Sequence, residues 1–444
     1  MELFWFEILK FTLLQSVLSA GLSVLFGGAL ARFLWTFEGL RLEGMVMAMG
    51  ALTFVLPVMI PALGFILLFD DFLGRGLYGL GGIVLFHVFL NSSYCAAQIR
   101  GAYGAFVTPS LQRQCDLLGL TKKERLRYLE FPALHTTLIN SFLVVFCLSL
   151  SSFSIVLLLG GGPATTTLSV ALYHALSVSF DFGNAAFFLA LQLMLSLVSA
   201  GLLQGKKQPQ KEAKVQGKPK VFQGRFSWAK ELFLGCILGL YLVPIISVLK
   251  TLVWPQGGFD VLVNSLVLTA LLGGASSVLV VGITLSLLIY FLKTSRPITS
   301  LFSTLTYLFL SVPKIVLVGG IFLIAHSFLE GKVVTYFLII AVSVLAYLPF
   351  CLKSFLVDFR IFQERYGAQI HLLSLSFFEI FKAIIWPYLQ KKIRGKLVMM
   401  SCFAMGNLSI PLMLGQLDVK TLPVLTYQAF LRYDTEKAGF YMAC

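Results

Sequence analysis

Charge is what this 444-residue chain has least of: 12% of its residues are Asp, Glu, Lys or Arg, against 58% that are hydrophobic. A water-soluble domain carries about 25% charged residues, so the shortage excludes an ordinary soluble enzyme and makes lipid the solvent. The mean hydropathy of +0.89 agrees. Carboxylates are scarcer than cations, 20 against 34, which leaves a net charge of +14. Nucleic-acid binding is the usual meaning of such an excess in a soluble protein. Here the cations collect between apolar runs, as they do in cytoplasmic loops of membrane proteins. Seven cysteines are scattered, most of them inside apolar runs and none in a CxxC pair, which argues against a metal cluster or a disulfide framework. No GxxxxGK[ST] occurs, so the chain has no P-loop and any nucleotide energy must come from another chain. MELFWFEILKF lacks the basic region and small-residue cleavage site of a signal peptide, and reads as the approach to a first spanning helix. The apolar runs hold almost no Asp or Glu, which disfavours an ion-coupled secondary transporter. No carboxylate pair or nucleophile–base arrangement points to an enzyme.

What is present is a series of apolar runs, each near the roughly 20 residues that a span needs. Candidates are 8–34, 45–69, 77–98, 137–159, 184–204, 231–253, 262–292, 301–328, 333–352 and 396–415. Pro57, Pro61 and Pro313 fall inside them and are expected to kink or break helices. The loops alternate in charge. Basic loops cover 100–135, 205–230 and 353–396, whereas 70–76, 160–183 and 254–260 are poor in Lys and Arg. One phase fits all of them, with the N-terminus outside and the basic loops in the cytoplasm.

The chain also repeats itself at an offset near 255 residues. LPVMIPALGF at 56–65 answers SVPKIVLVGGI at 311–321, and FSIVLLLG at 153–160 answers LSIPLMLG at 408–415. TLSVALYHAL at 167–176 answers TLPVLTYQAF at 421–430, and DFGNAAFF at 181–188 answers DTEKAGFY at 434–441. Pro132 and Pro387 keep the same offset. The expected fold is an all-α integral membrane protein of two parallel five-helix repeats, with about ten full spans and a last one cut short. The expected divisions are a first repeat at 1–204, a basic linker at 205–230, a connecting helix at 231–253 and a second repeat at 254–444. The connecting helix returns the chain to the outside, so that two odd-numbered units run the same way. In the second copy DTEKAGFYMAC stops at Cys444 just where the matching helix begins.

In each copy the third span feeds a long basic loop. Leu111, Cys115 and Leu118 are spaced i, i+4 and i+7, and so are Tyr366, Ile370 and Leu373, which predicts one apolar helix face per loop. A turn at Gly119 or Ser374 and a second short helix follow, ending at Pro132 or Pro387. Glycine suits the turn because it takes positive φ without penalty. Two such duplicated loops resemble those by which permeases of ATP-binding-cassette importers dock on their ATPases. That family's motif reads EAA, three residues, Gly, nine residues and I-x-L-P. Thirteen residues separate Gly119 from Pro132, as they do Ser374 from Pro387. Leu129-Glu130-Phe131-Pro132 and Ile384-Ile385-Trp386-Pro387 stand for I-x-L-P. The EAA triplet is replaced by Arg113-Gln114-Cys115 and Ala368-Gln369-Ile370, and Ser374 replaces the glycine.

The resemblance covers almost the whole chain. LLLGGGPATTTLSVALYHALSVSFDFGNAA at 157–186 and LGQLDVKTLPVLTYQAFLRYD at 414–434 resemble the fused two-repeat permeases of thiamine importers, within a group that also moves ferric iron. It implies a type I importer permease in a bacterial inner membrane, with a dimeric ATPase beneath and a substrate-binding protein outside. The implied solute is thiamine or its phosphates, with ferric iron as the runner-up. The chain itself binds no cofactor, ATP being used by the partner, and no nucleic acid is involved. That family usually has twelve spans, so a span before residue 8 and the one begun at 438 are absent relative to it, and an inactive remnant is a further alternative. Lys314, just after Pro313, is a charge placed in a span, where it is expected to face the bundle interior. His87 and His326 are further candidate pathway groups, with bonding to a neighbouring helix as the plainer role for each.

Overall fold

The structure is a computed structural model of the whole chain, and it describes residues 2–37, 40–73, 77–160, 162–204, 228–251, 259–293, 312–325, 331–372, 379, 382, 385–415 and 418–443. The described residues are helical almost throughout and contain no strand. Among the described residues seven helices are long and apolar enough to cross a membrane, and a bent pair brings the number to eight. The linker expected at 205–230 lies outside the described residues up to 227.

One structural unit comprises Met1–Ala171 and Met194–Val253. Its centre is α1 (Glu2–Thr36), which packs on α4 (Leu80–Phe106) and α7 (Phe131–Leu150). Apolar side chains on every face suit α1 to a lipid-surrounded bundle. The stripe that it buries is nonetheless polar: Thr12, Gln15, Ser16, Ser19 and Ser23 are fully covered. Thr12 and Ser16 return their hydroxyls to the Ile8 and Thr12 carbonyls, both at 2.7 Å, and Gln15 Nε2 reaches the Ser149 carbonyl at 3.0 Å. Small side chains allow the close approach. A methyl group on Gly27 would collide with the Ser92 carbonyl of α4, and Ser93 Oγ donates to the Gly50 carbonyl at 2.9 Å.

Proline decides where the second span divides. Helix α2 (Glu43–Val55) stops at Leu56, whose ψ is 148°, and α3 (Met59–Leu73) begins two residues beyond Pro57. The pyrrolidine ring excludes α geometry from the preceding residue. Pro61 sits in the first turn of α3, where a missing N–H costs nothing, and leaves that helix intact. The helix expected at 231–253 is α11 (Trp228–Lys250), which lies against α2 and α3 in this same unit. Gly64 of α3 faces the Pro244 carbonyl of α11 with no room for a side chain.

A second unit comprises Leu172–Leu193 and Trp254–Met442. The stretch 172–193, expected in the first repeat, thus clusters with the later part of the chain. Helix α12 (Phe259–Lys293) packs on α14 (Lys332–Leu372) and α15 (Trp386–Met405). Val280, Leu288, Cys351, Phe355 and Met400 form the core of that packing. Helix α13 (Lys314–Ala325) carries Gly319 against Leu172, Leu176 and Leu189. Helices α15 and α16 (Ser409–Gly415) meet at 47°. Then come α17 (Leu422–Leu431) and α18 (Thr435–Ala443).

Replacing Gly64 with alanine is expected to cost about 1–3 kcal/mol through overpacking. The thermal midpoint of the purified protein should therefore fall, whereas Gly101→Ala, with open space at its Cβ inside α4, should leave it unchanged or raise it slightly.

Candidate functional site

The basic loop after α4 is built from strong local signals. Pro109 opens α5 (Pro109–Leu117), and Thr108 is held extended before it, its hydroxyl accepting from the Leu111 N–H at 3.4 Å. The helix ends as the sequence expects. Gly119 takes φ +65°, and the Leu120 N–H reaches back to the Cys115 carbonyl at 3.1 Å, which closes the terminus. Thr121 then caps α6 (Lys122–Arg125) reciprocally with Glu124: the Thr121 N–H donates to Glu124 Oε2 at 2.8 Å, and the Glu124 N–H donates to Thr121 Oγ1 at 3.3 Å. The Thr121 N–H foremost, and the Thr121 hydroxyl donating to the same Oε2 at 2.7 Å, hold the Glu124 carboxyl below the ordinary glutamate range. Arg125 bridges back to Asp116 and to the Leu120 carbonyl, joining the two short helices across the turn.

From Leu126 to Glu130 the backbone forms a π-turn, with the Phe131 N–H donating to the Leu126 carbonyl. Pro132 lacks the next donor, and its ring crowds the carbonyl four residues earlier, so the wider turn relieves the clash. The turn also aims Glu130 inward. Its Oε2 accepts from Arg32 Nε of α1 at 3.0 Å and from the Tyr103 hydroxyl of α4 at 2.8 Å. Tyr103 stacks on Trp35 with ring centroids 5.5 Å apart. The loop is thereby tied to the ends of two spanning helices.

The apolar face differs from the expected one. Cys115 points inward and is 7% exposed, whereas Leu118 is 74% exposed and Leu117, absent from the expected stripe, is 87% exposed. Leu111 lies at the edge of exposure, and Arg113, Gln114 and Pro132 are also open, with Leu129 half-buried. Tyr128 and Phe131 extend the open apolar surface.

The second loop takes another form. Helix α14 runs unbroken to Leu372, so Tyr366, Ala368, Gln369 and Ile370 continue a long helix and form no separate short one. The residues explain it: where the first copy has Thr108-Pro109, the second has Gln363-Glu364, which are good helix formers. Leu373, Ser374 and Ile384 lie outside the described residues. Pro387 falls in the first turn of α15, and Ile385 before it is buried. Nearby, Asp358 of α14 pairs with Lys392 at 3.3 Å and with Lys396 at 3.2 Å.

Of the candidate pathway groups, His326 lies outside the described residues. His87 is 2% exposed, and its Nε2 has no hydrogen-bond partner. Lys314 opens α13 with its ammonium 4.4 Å from the Tyr347 ring centroid. Among the described residues no three His, Cys, Asp or Glu side chains converge as metal ligands. Sequence reasoning missed Arg32, Tyr103 and Asp358, because their partners lie 27 to 98 positions away and no periodicity links them. Glu130 was visible only as the unspecified position of a motif.

Comparison with known proteins gives a consistent result. The chain is 25% identical to the thiamine transport system permease protein ThiP of Brucella abortus, over 99% of this chain and 84% of the relative. It is 25% identical to the protein of that name from Haemophilus influenzae, over 98% and 85%, and 27% identical to that from Escherichia coli, over 97% and 84%. No family model matches the chain, and no solved structure does.

Truncating Glu130 to alanine should cost about 1–3 kcal/mol locally, by stripping the buried Tyr103 hydroxyl and the half-exposed Arg32 guanidinium of their shared acceptor. Amide exchange should then accelerate over 122–131 and stay unchanged in α12, as measured by hydrogen–deuterium exchange.

Proposed function

We propose that the chain is the membrane-spanning permease of an ATP-driven importer of thiamine or thiamine phosphates. The observation that carries this is similarity over nearly the whole chain to thiamine transport permeases, joined to seven membrane-capable helices. An importer permease needs an ATPase on its cytoplasmic face and a substrate-binding protein outside. The distribution of basic loops supports an orientation with the N-terminus outside, by the positive-inside rule.

In this reading the chain supplies two related halves. Two pairs of local details support the duplication. In one half the Leu168 N–H donates to Thr12 Oγ1 at 3.0 Å, and in the other the Leu422 N–H donates to Thr269 Oγ1 at 2.7 Å. Phe180 and Tyr433 both take positive φ, and each precedes an aspartate, Asp181 or Asp434, whose carboxylate caps the next helix. Such left-handed backbone is uncommon outside glycine. Ten spans then arise if the broken helix at 43–73 counts as one and α13 as another.

The ATPase would dock on the loop at 105–132, through Leu117, Leu118 and Tyr128, with 360–387 as its counterpart. Glu130 and Asp358 would pass the stroke from each loop into spanning helices, since each joins loop-proximal residues to the bundle. No observation favours ferric iron.

The test is ATP-dependent uptake in vesicles holding the chain, its ATPase and a binding protein. Labelled thiamine should accumulate; labelled ferric iron should not. Leu117→Asp with Leu118→Asp should lower ATPase co-purification about tenfold or more, as loss of a central apolar contact does. Unchanged co-purification removes the docking assignment and leaves the transport assignment standing.

A further inference from the structure

Three counts along the second unit converge on one depth. Helix α13 has 12 residues, so Lys314 lies roughly 18 Å from its far end at 1.5 Å per residue. Tyr347 lies roughly 22 Å along α14 from Lys332, by the same rise. Asn407 lies roughly 17 Å beyond Lys396, the last basic residue of α15. The hydrocarbon core is about 30 Å thick, so all three lie within the spanning region, away from the ends they are counted from.

At that depth the side chains touch. The Tyr347 hydroxyl donates to the Phe403 carbonyl at 2.7 Å and accepts from Asn407 Nδ2 at 2.6 Å. Asn407 Oδ1 in turn accepts from Ser409 Oγ at 2.9 Å and from the Ile410 N–H at 3.1 Å, which closes the bend between α15 and α16. Lys314 stands at the start of α13, on the exposed side of this cluster, with its Nζ 3.4 Å from the Tyr347 hydroxyl. An ammonium has three donors, and among the described residues this one makes a single long hydrogen bond besides its contact with the ring face. Among the described residues no ion pair includes Lys314. Behind Asn407 a small cleft is lined by Thr269, Ser276, Ser343 and Thr421. Thr421 is 3% exposed, and its Oγ1 has no partner.

A cation at membrane depth is costly unless something compensates it, and helix starts add positive potential. Unwound or broken helices at mid-membrane are where transporters place solute contacts. The first unit has no counterpart: Val58 follows Pro57 where Lys314 follows Pro313. A structural requirement of the bundle would have appeared in both halves.

We propose that Lys314, positioned by Tyr347 and Asn407, is a specificity-determining contact for an anionic group of the transported solute, a phosphate ester foremost. The proposal rests on the permease reading for the solute's identity. Free thiamine is a cation and gains nothing from this lysine, whereas a phosphorylated form does.

The experiment measures the thermal midpoint of the purified full chain with thiamine, thiamine diphosphate or inorganic pyrophosphate, at equal millimolar concentrations. Wild type should be stabilised more by thiamine diphosphate than by thiamine. That difference should vanish in Lys314→Met and persist in Lys314→Arg. Pyrophosphate alone should have a smaller effect than the diphosphate ester. No difference in wild type, a difference kept in Lys314→Met, or an equal effect of pyrophosphate would each overturn the proposal. Thiamine uptake in vesicles holding the wild-type chain tests the permease reading separately.

Discussion

Every break in a spanning helix must satisfy its own backbone, because the bilayer core offers no water to do it. That constraint organises both units. At Pro57 the chain leaves helical geometry, with Leu56 at ψ 148°, and the Ile60 N–H returns to the Pro57 carbonyl as α3 resumes. At Asn407 a side-chain carbonyl accepts the Ile410 N–H in the first turn of α16. Thr12 and Thr269 perform the same service for the first N–H groups of α9 (Leu168–Ser177) and α17. The buried polar stripe of α1 is therefore part of the spanning architecture and no contradiction of it.

The loop between α4 and α7 obeys another logic. Outside the hydrocarbon, water satisfies backbone groups, so order must come from caps and pairs. Thr108, Gly119 and the Thr121–Glu124 box set two short helices at a defined angle, and Arg125 locks them. One side of this element is then fastened by Glu130, while Leu117 and Leu118 stay open. An exposed apolar pair on a stiff support is the arrangement expected of a contact surface.

Legibility followed the range of each interaction. Gly119, Pro57 and the helices near 8–34, 184–204 and 231–253 were readable because their causes are local: φ preference, a missing N–H, a long apolar run. The inward turn of Cys115 was not readable, because i, i+4 spacing specifies a face and not the side on which a partner lies. The continuity of α14 past residue 363 was obscured by analogy with the first copy, although Gln363-Glu364 already favours helix. The placement of 172–193 with the later part of the chain depends on packing among Leu172, Leu176, Leu189 and Gly319, which no pattern along the chain encodes.

By itself the sequence determined solvent, helix content and the break at Pro57, since each follows from composition or spacing within a few turns. Only the tertiary structure decided which carboxylate holds the loop, which leucines remain uncovered, and which tyrosine lies beneath Lys314. Those depend on side chains brought together from positions 27 to 98 residues apart, and only the packed bundle sets such distances.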